Sequence, residues 1–145
     1  MFKHILIATD GSQLSESAAT QAILLAKALA AHVTAITVSL PYRVFTADYV
    51  MLADTEDVYN EDRKSRAVRD LAVVRKAAEA AGVTCGELHV FHEQPYSAII
   101  EVADQRGCDL ICMASHGRRG LSALVVGSET MKVLTHSRIP VLVFR

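Results

Sequence analysis

Leu110-Ile-Cys-Met-Ala114-Ser-His-Gly117-Arg-Arg-Gly120-Leu-Ser-Ala-Leu-Val-Val-Gly127-Ser128 runs from a short apolar stretch into a glycine-bracketed loop, and from Ser128 a helix is expected to about His136. An apolar run without polar alternation is what a strand shows when helices cover both faces of its sheet. The same pattern recurs on either side. Upstream, Pro95 opens a helix whose inward residues are Ile99, Val102 and Ala103 and which Gly107 closes. Downstream, Pro140 introduces the apolar strand Val141-Leu-Val-Phe144.

The amino-terminal half repeats this alternation. His4-Ile-Leu-Ile-Ala-Thr9 reads as a covered strand ended by Asp10-Gly11-Ser12, and from Ser15 the residues Ala18, Ala22, Leu25 and Leu29 recur at helical spacing. Val33 to Val38 is a β-branched second strand. Pro41 through Glu56 shows turn residues and aromatics without a period, which predicts one long loop. A helix from about Asp57 to Ala81 places Ala67, Leu71, Val74, Ala78 and Ala81 on one stripe and stops at Gly82, and a short strand follows near Glu87 to Phe91. Five strands alternating with helices predict an α/β fold: an open, mainly parallel, Rossmann-like sheet with helices on both faces. Such sheets bind ligands at the carboxyl ends of their strands where strand order reverses, which singles out Thr9-Asp10, Val38-Ser39 and Ala114-Ser115.

Bulk composition narrows the function. The 145 residues fit one domain over 1–145, 51% of them are apolar, and the net charge of -1 leaves no overall footprint for nucleic acid or an anionic membrane. No run reaches the roughly 20 apolar residues of a membrane helix, and Ile5-Leu-Ile-Ala8 is too short for a signal-peptide core. Cys85, Cys108 and Cys112 form an odd set without metal-ligand spacing, which suits a reducing cytoplasm. His4, His32, His89, His92 and His136 are scattered without zinc-ligand spacing.

Chemistry concentrates in the loop. Glycine lets backbone N–H groups approach phosphate oxygens, and a helix start adds free donors and partial positive charge. Gly117, Gly120, Gly127 and Ser128 supply these features, while Arg118 and Arg119 are placed to meet outer phosphates. The blander alternative makes the glycines turns, Ser128 a cap and the arginines solvated; their convergence at one strand end favours binding. No lysine follows the Gly-Ser pair, so this is not a Walker loop, and it is not the Gly-x-Gly-x-x-Gly fingerprint. Asp10 is expected to accept from ribose hydroxyls or approach bound Mg²⁺, with capping of the next helix as its structural alternative. His116 shapes the site or touches phosphate, since no carboxylate partner stands at motif spacing. Tyr42, Phe45, Tyr49 and Met51 are read as packing on the neighbouring helix, with a lid as the alternative. Arg63, Lys64, Arg66 and Arg69, interleaved with Glu61, Asp62 and Asp70, read as a solvated helix face.

The opening Ile5-Leu-Ile-Ala-Thr-Asp-Gly-Ser12, the block Asp109-Leu-Ile-Cys-Met113, Ser115-His-Gly117 followed after nine residues by Gly127-Ser128, and the closing Ile139-Pro-Val-Leu-Val143 together resemble the universal stress proteins of the single-domain, ATP-binding type. That family's signature has glycine where this chain has Ala114, a methyl that bears on affinity more than on binding mode. The resemblance implies that Ala8, Thr9 and Asp10 meet the nucleoside, that the Val38 backbone faces the adenine edge, and that Met113 with Ala114 lines base and sugar. Gly117, Gly127, Ser128 and Glu129 would hold phosphates, Glu129 through its backbone N–H. ATP, ADP or AMP is the implied ligand, with Mg²⁺ or Mn²⁺ reaching Asp10 through the nucleotide.

The apolar strand Val141, Leu142, Val143, Phe144 needs a covering partner, and a homodimer through that edge meets both this need and the resemblance. Charges at Val141 and Val143 are expected to yield monomers. The leading function is a nucleotide-holding, stress-responsive regulatory module. Its rivals are a slow ATP-hydrolysing or phosphate-transferring enzyme, for which only Asp10, Ser128 and His116 are candidates, and a stress-induced dimer that binds no nucleotide.

Overall fold

The computed structural model describes residues 1–43, 54–118 and 125–145. Its elements run β1 (His4–Ala8), α1 (Gln13–Leu29), β2 (His32–Ser39), α2 (Asp54–Ala81), β3 (Cys85–Phe91), α3 (Pro95–Gln105), β4 (Leu110–Ala114), α4 (Ser128–His136) and β5 (Val141–Phe144). The strands form one sheet in the order β3-β2-β1-β4-β5. Every neighbouring pair is parallel, so the expected sheet is present and wholly rather than mainly parallel.

Side-chain alternation on β1 explains the two faces. Ile5 and Ile7 enter a core with Ala22, Ile23 and Ala26 of α1 and Leu71, Val74 and Ala78 of α2. Leu6 points the other way, onto Ile99, Val102 and Ala103 of α3 and Val133 of α4. Burying each such aliphatic side chain contributes about 1.5–3 kcal/mol. β1 is fixed at the sheet's centre by Asp109, whose carboxylate accepts from Lys3 N at 2.8 Å and His4 N at 3.0 Å.

Three element starts shift by two or three residues. Ser12 caps α1 by accepting from Ser15 N, so the helix starts at Gln13 rather than Ser15. α2 begins at Asp54, inside the expected loop, because a polar opening carries no apolar period yet its acidic residues suit a helix N-terminus. β3 starts at Cys85, with Gly86 against the Thr34 side chain where a glycine reads as a breaker. Phe45, Tyr49 and Met51 lie outside the described residues. Tyr42 packs on Tyr59 of α2 with ring centroids 5.6 Å apart. No described helix is long and apolar enough to cross a membrane.

The cysteines behave as small apolar side chains. Burial pushes the Cys112 thiol up to about 12, and burial with Asp109 nearby pushes Cys108 up to about 11. At pH 8 a thiol of that strength is ionised to about one part in a thousand or less. Native protein should therefore leave both unlabelled by a disulfide reagent over minutes, with all three cysteines reacting after unfolding. Rapid native labelling of Cys108 or Cys112 would show that the core opens.

Candidate ligand-binding site at the carboxyl edge

The strand order turns back between β1 and β4, and a cavity of about 660 Å³ opens over their carboxyl ends. The twelve described residues of the expected set line it together. Ala8, Thr9 and Asp10 come from the end of β1, Val38 from β2, and Met113 with Ala114 from β4. His116, Gly117 and Arg118 follow β4, and Gly127, Ser128 and Glu129 open α4. Arg119, with Gly120, lies outside the described residues.

The start of α4 is built for close approach. Gly127 is its N-cap, donating its N–H to Ser115 O at 2.7 Å, and no side chain caps the helix. Ser128 is thus the first helical residue and not the cap, which leaves first-turn N–H groups available to an acceptor. Thr130 Oγ1 donates to Ala114 O at 3.0 Å and so bolts this turn to the end of β4. A Cβ on Gly127 would stand 3.2 Å from His116 Cα, and one on Gly117 would run into the Asp10 carboxylate.

Each carboxylate oxygen of Asp10 accepts one main-chain hydrogen bond. Its Oδ1 accepts from Ser12 N at 3.0 Å and its Oδ2 from Arg118 N at 2.9 Å. Burial works against its ionisation, but the hydrogen bonds from Ser12, Arg118 and Ser15 prevail and hold the carboxyl below its usual range. It joins the β1 end to the glycine loop, while Ser12 does the capping. Thr9 is buried, with Oγ1 3.0 Å from Ser15 Oγ. His116 Nδ1 meets Ser115 Oγ at 3.1 Å, and among the described residues no carboxylate pairs with the ring.

Two charged residues at the site have side chains engaged by the protein itself. Glu129 turns its carboxylate toward α3, where Oε2 accepts from Tyr96 N at 2.9 Å and Oε1 meets Lys132 Nζ at 2.9 Å. Arg118 lies across the β1–α1 turn, Nε donating to Asp10 O at 2.8 Å and Nη2 standing 3.8 Å from Asp70 Oδ2.

The wall contributed by α2 corrects the reading of its charges as a solvated face. Tyr59, Arg63, Arg66, Ala67 and Asp70 all line the cavity. Tyr59 donates its hydroxyl to Leu40 O at 2.7 Å, pinning the helix beside the end of β2, and the Arg63 guanidinium sits 5.3 Å over the Tyr59 ring. A signal was present in the chain: positions 63, 67, 70 and 74 continue one helical stripe, so Arg63 and Asp70 share the face that carries Ala67 and Val74 into the core. Among the described lining residues Arg63, Arg66 and Arg118 stand with Asp10 and Asp70, Glu129 being engaged elsewhere and Arg63 also meeting Asp62 at 3.0 Å, a lining that admits an anionic ligand.

An all-parallel sheet with a cavity at its topological switch point defines a Rossmann-like α/β protein. The Universal stress protein family model matches residues 1–145, and the chain belongs to that family. It is 33% identical over 147 residues to the universal stress protein MJ0531 of Methanocaldococcus jannaschii, covering 100% of this chain and 83% of that one. The solved structure of the hypothetical protein MJ0577 superposes with a TM-score of 0.83 at 26% identity, over 99% of this chain and 95% of that one. A universal stress protein in complex with cAMP superposes with a TM-score of 0.69 at 25% identity, over 99% of this chain and 97% of that one.

Proposed function

We propose that this chain holds an adenine nucleotide, ATP or its di- or monophosphate, over the carboxyl edge of the sheet and acts as a homodimeric regulatory module of the stress response. The observation that carries the reading is the uncapped first turn of α4, entered through Gly127 and facing a cavity that also collects Gly117, Ser128 and arginines. The complex of a related family member with cAMP supports an adenine ligand. Val38 and Met113 then flank the base, and Ala8, Thr9, Asp10 and Ala114 the sugar. Gly117, Gly127, Ser128 and the Glu129 N–H take the phosphates, since the Glu129 carboxylate is held against α3.

Mg²⁺ or Mn²⁺ would enter on the phosphates. Among the described residues no group of three potential ligands stands together, and Asp10 alone would bring the cation to protein. As a binding module acting in the cytoplasm, the protein needs no turnover, and ATP hydrolysis is expected well below the ~1–100 s⁻¹ of kinases. Isothermal titration with ATP, ADP and AMP, with and without Mg²⁺, followed by overnight assay for ADP, tests this. Micromolar binding with little ADP is the expected result. No binding up to millimolar nucleotide would remove the reading, and rapid ADP release would make the protein an enzyme.

A further inference from the structure

Asp70 is the acidic group of the cavity lining that a nucleotide pose leaves without a task. Its side chain is 15% exposed, and among the described residues its one ion pair is with Arg118 Nη2 at 3.8 Å, longer than a hydrogen bond. Gly11 makes the approach possible: its φ is +73, and a Cβ there would collide with the Asp70 carboxylate. A helix two elements away is thus brought onto the β1–α1 turn, where Arg118 already donates to Asp10 O.

We propose that Asp70 is a specificity-determining residue of the cavity: it competes with a ligand's outer phosphates for the Arg118 guanidinium, and so sets how much affinity each added phosphate brings. The inference rests on the nucleotide reading above and says which nucleotides the site separates. A phosphate offers more charge than a carboxylate and a bidentate partner for the guanidinium, whereas the Asp70 contact is single and long. Burial pushes the Asp70 carboxyl above its usual range in spite of Arg118 and Arg66, with the Asp10 carboxylate adding to the rise. The ion pair therefore compensates its carboxylate incompletely and yields readily to a stronger anion.

Asp70→Asn keeps the size of the side chain and removes the competing charge. It should tighten ATP binding by about threefold to tenfold and raise the ratio of ATP to AMP affinity. In an Arg118→Gln background the same substitution should change that ratio by less than about twofold. Inorganic tripolyphosphate, titrated alongside, should follow ATP in every variant. Weakened binding of ATP and AMP alike in Asp70→Asn would mean a merely structural role and overturn the proposal. Equal tightening with and without Arg118 would also overturn it, by assigning the effect to direct repulsion. Should adenine nucleotides fail to bind while tripolyphosphate binds and responds to Asp70→Asn, the adenine reading falls and the competition stands. Absence of binding by both probes would remove both.

Discussion

Gly127→Val is expected to weaken ATP binding by a hundredfold or more while the chain stays folded. Gly127 has φ −62 and ψ 154, an extended conformation open to any residue, so the glycine is required for space and not for backbone freedom. An added Cβ would stand 3.2 Å from His116 Cα and 3.4 Å from Ser115 O, against backbone that is itself held by the 2.7 Å bond from Gly127 N. Valine's methyls can be relieved only by moving the first turn of α4 off the end of β4. Ser128 and the free N–H groups move with it. Hydrogen bonds to charged acceptors are worth roughly 1.5–3 kcal/mol each, and losing two of them gives about a hundredfold to ten-thousandfold weaker binding. The crowding lies outside both cores, so the stability loss should stay near the ~1–3 kcal/mol usual for overpacking. Titration with ATP together with thermal melting separates the two effects. Unchanged affinity would show that the α4 start does not hold phosphate.

The second large effect concerns association. Pro140 O and Phe144 O accept from Ile111 N and Ser115 N, which in a parallel ladder turns the main-chain groups of Val141 and Val143 away from β4, toward the open edge. Their side chains, however, pack against the protein's own α3/α4 core. Charges at Val141 and Val143, the substitution the strand's sequence suggests, would therefore injure the monomer as well as any partner contact. Leu142, at 37% exposure, is the clean position, and Met131 and Leu134 of α4 add exposed apolar surface. Leu142→Glu should yield monomers of 15.7 kDa where the parent gives twice that mass. Val143→Pro should do the same by removing an outward N–H that the β4 ladder does not use. Light scattering at several concentrations reads the result. Dimers persisting in both variants would place the interface elsewhere, and a monomeric parent would remove it.

Most of the architecture was legible because a covered strand writes itself as an uninterrupted apolar run, as in Ile5-Leu-Ile and Leu110-Ile-Cys-Met. Once strands alternate with helices, the residues just past strand ends must meet at the switch point. That is why Asp10 and Gly117 could be assigned to one site from positions far apart in the chain. The α2 wall was not legible by composition, because a helix face carrying Arg63, Arg66 and Asp70 looks solvated until its length is weighed. At about 1.5 Å per residue, the 28 residues of α2 run well past the 8 residues of β2 at about 3.3 Å each. The surplus at its amino end overhangs the carboxyl edge and becomes a wall. Arg118 was partly hidden for another reason: a basic loop residue reads as a phosphate ligand, and only the fold reveals that its guanidinium already meets the Asp10 main-chain carbonyl and the Asp70 carboxylate.

The place of β1 in the strand order bears on how the chain comes to fold as it is synthesised. β1 is made first yet ends at the sheet's centre, bonded to β2 on one side and β4 on the other. Once residues through Phe91 have emerged, the half-sheet β3-β2-β1 can assemble, and the flank of β1 that β4 will occupy is then an open apolar border. Long-range parallel pairing forms slowly, so this nascent half is the species most exposed to sticking or to chaperone capture. The vulnerable surface of the newborn chain is therefore the β1 border whose carboxyl end opens beneath the cavity, and it closes only when β4 arrives.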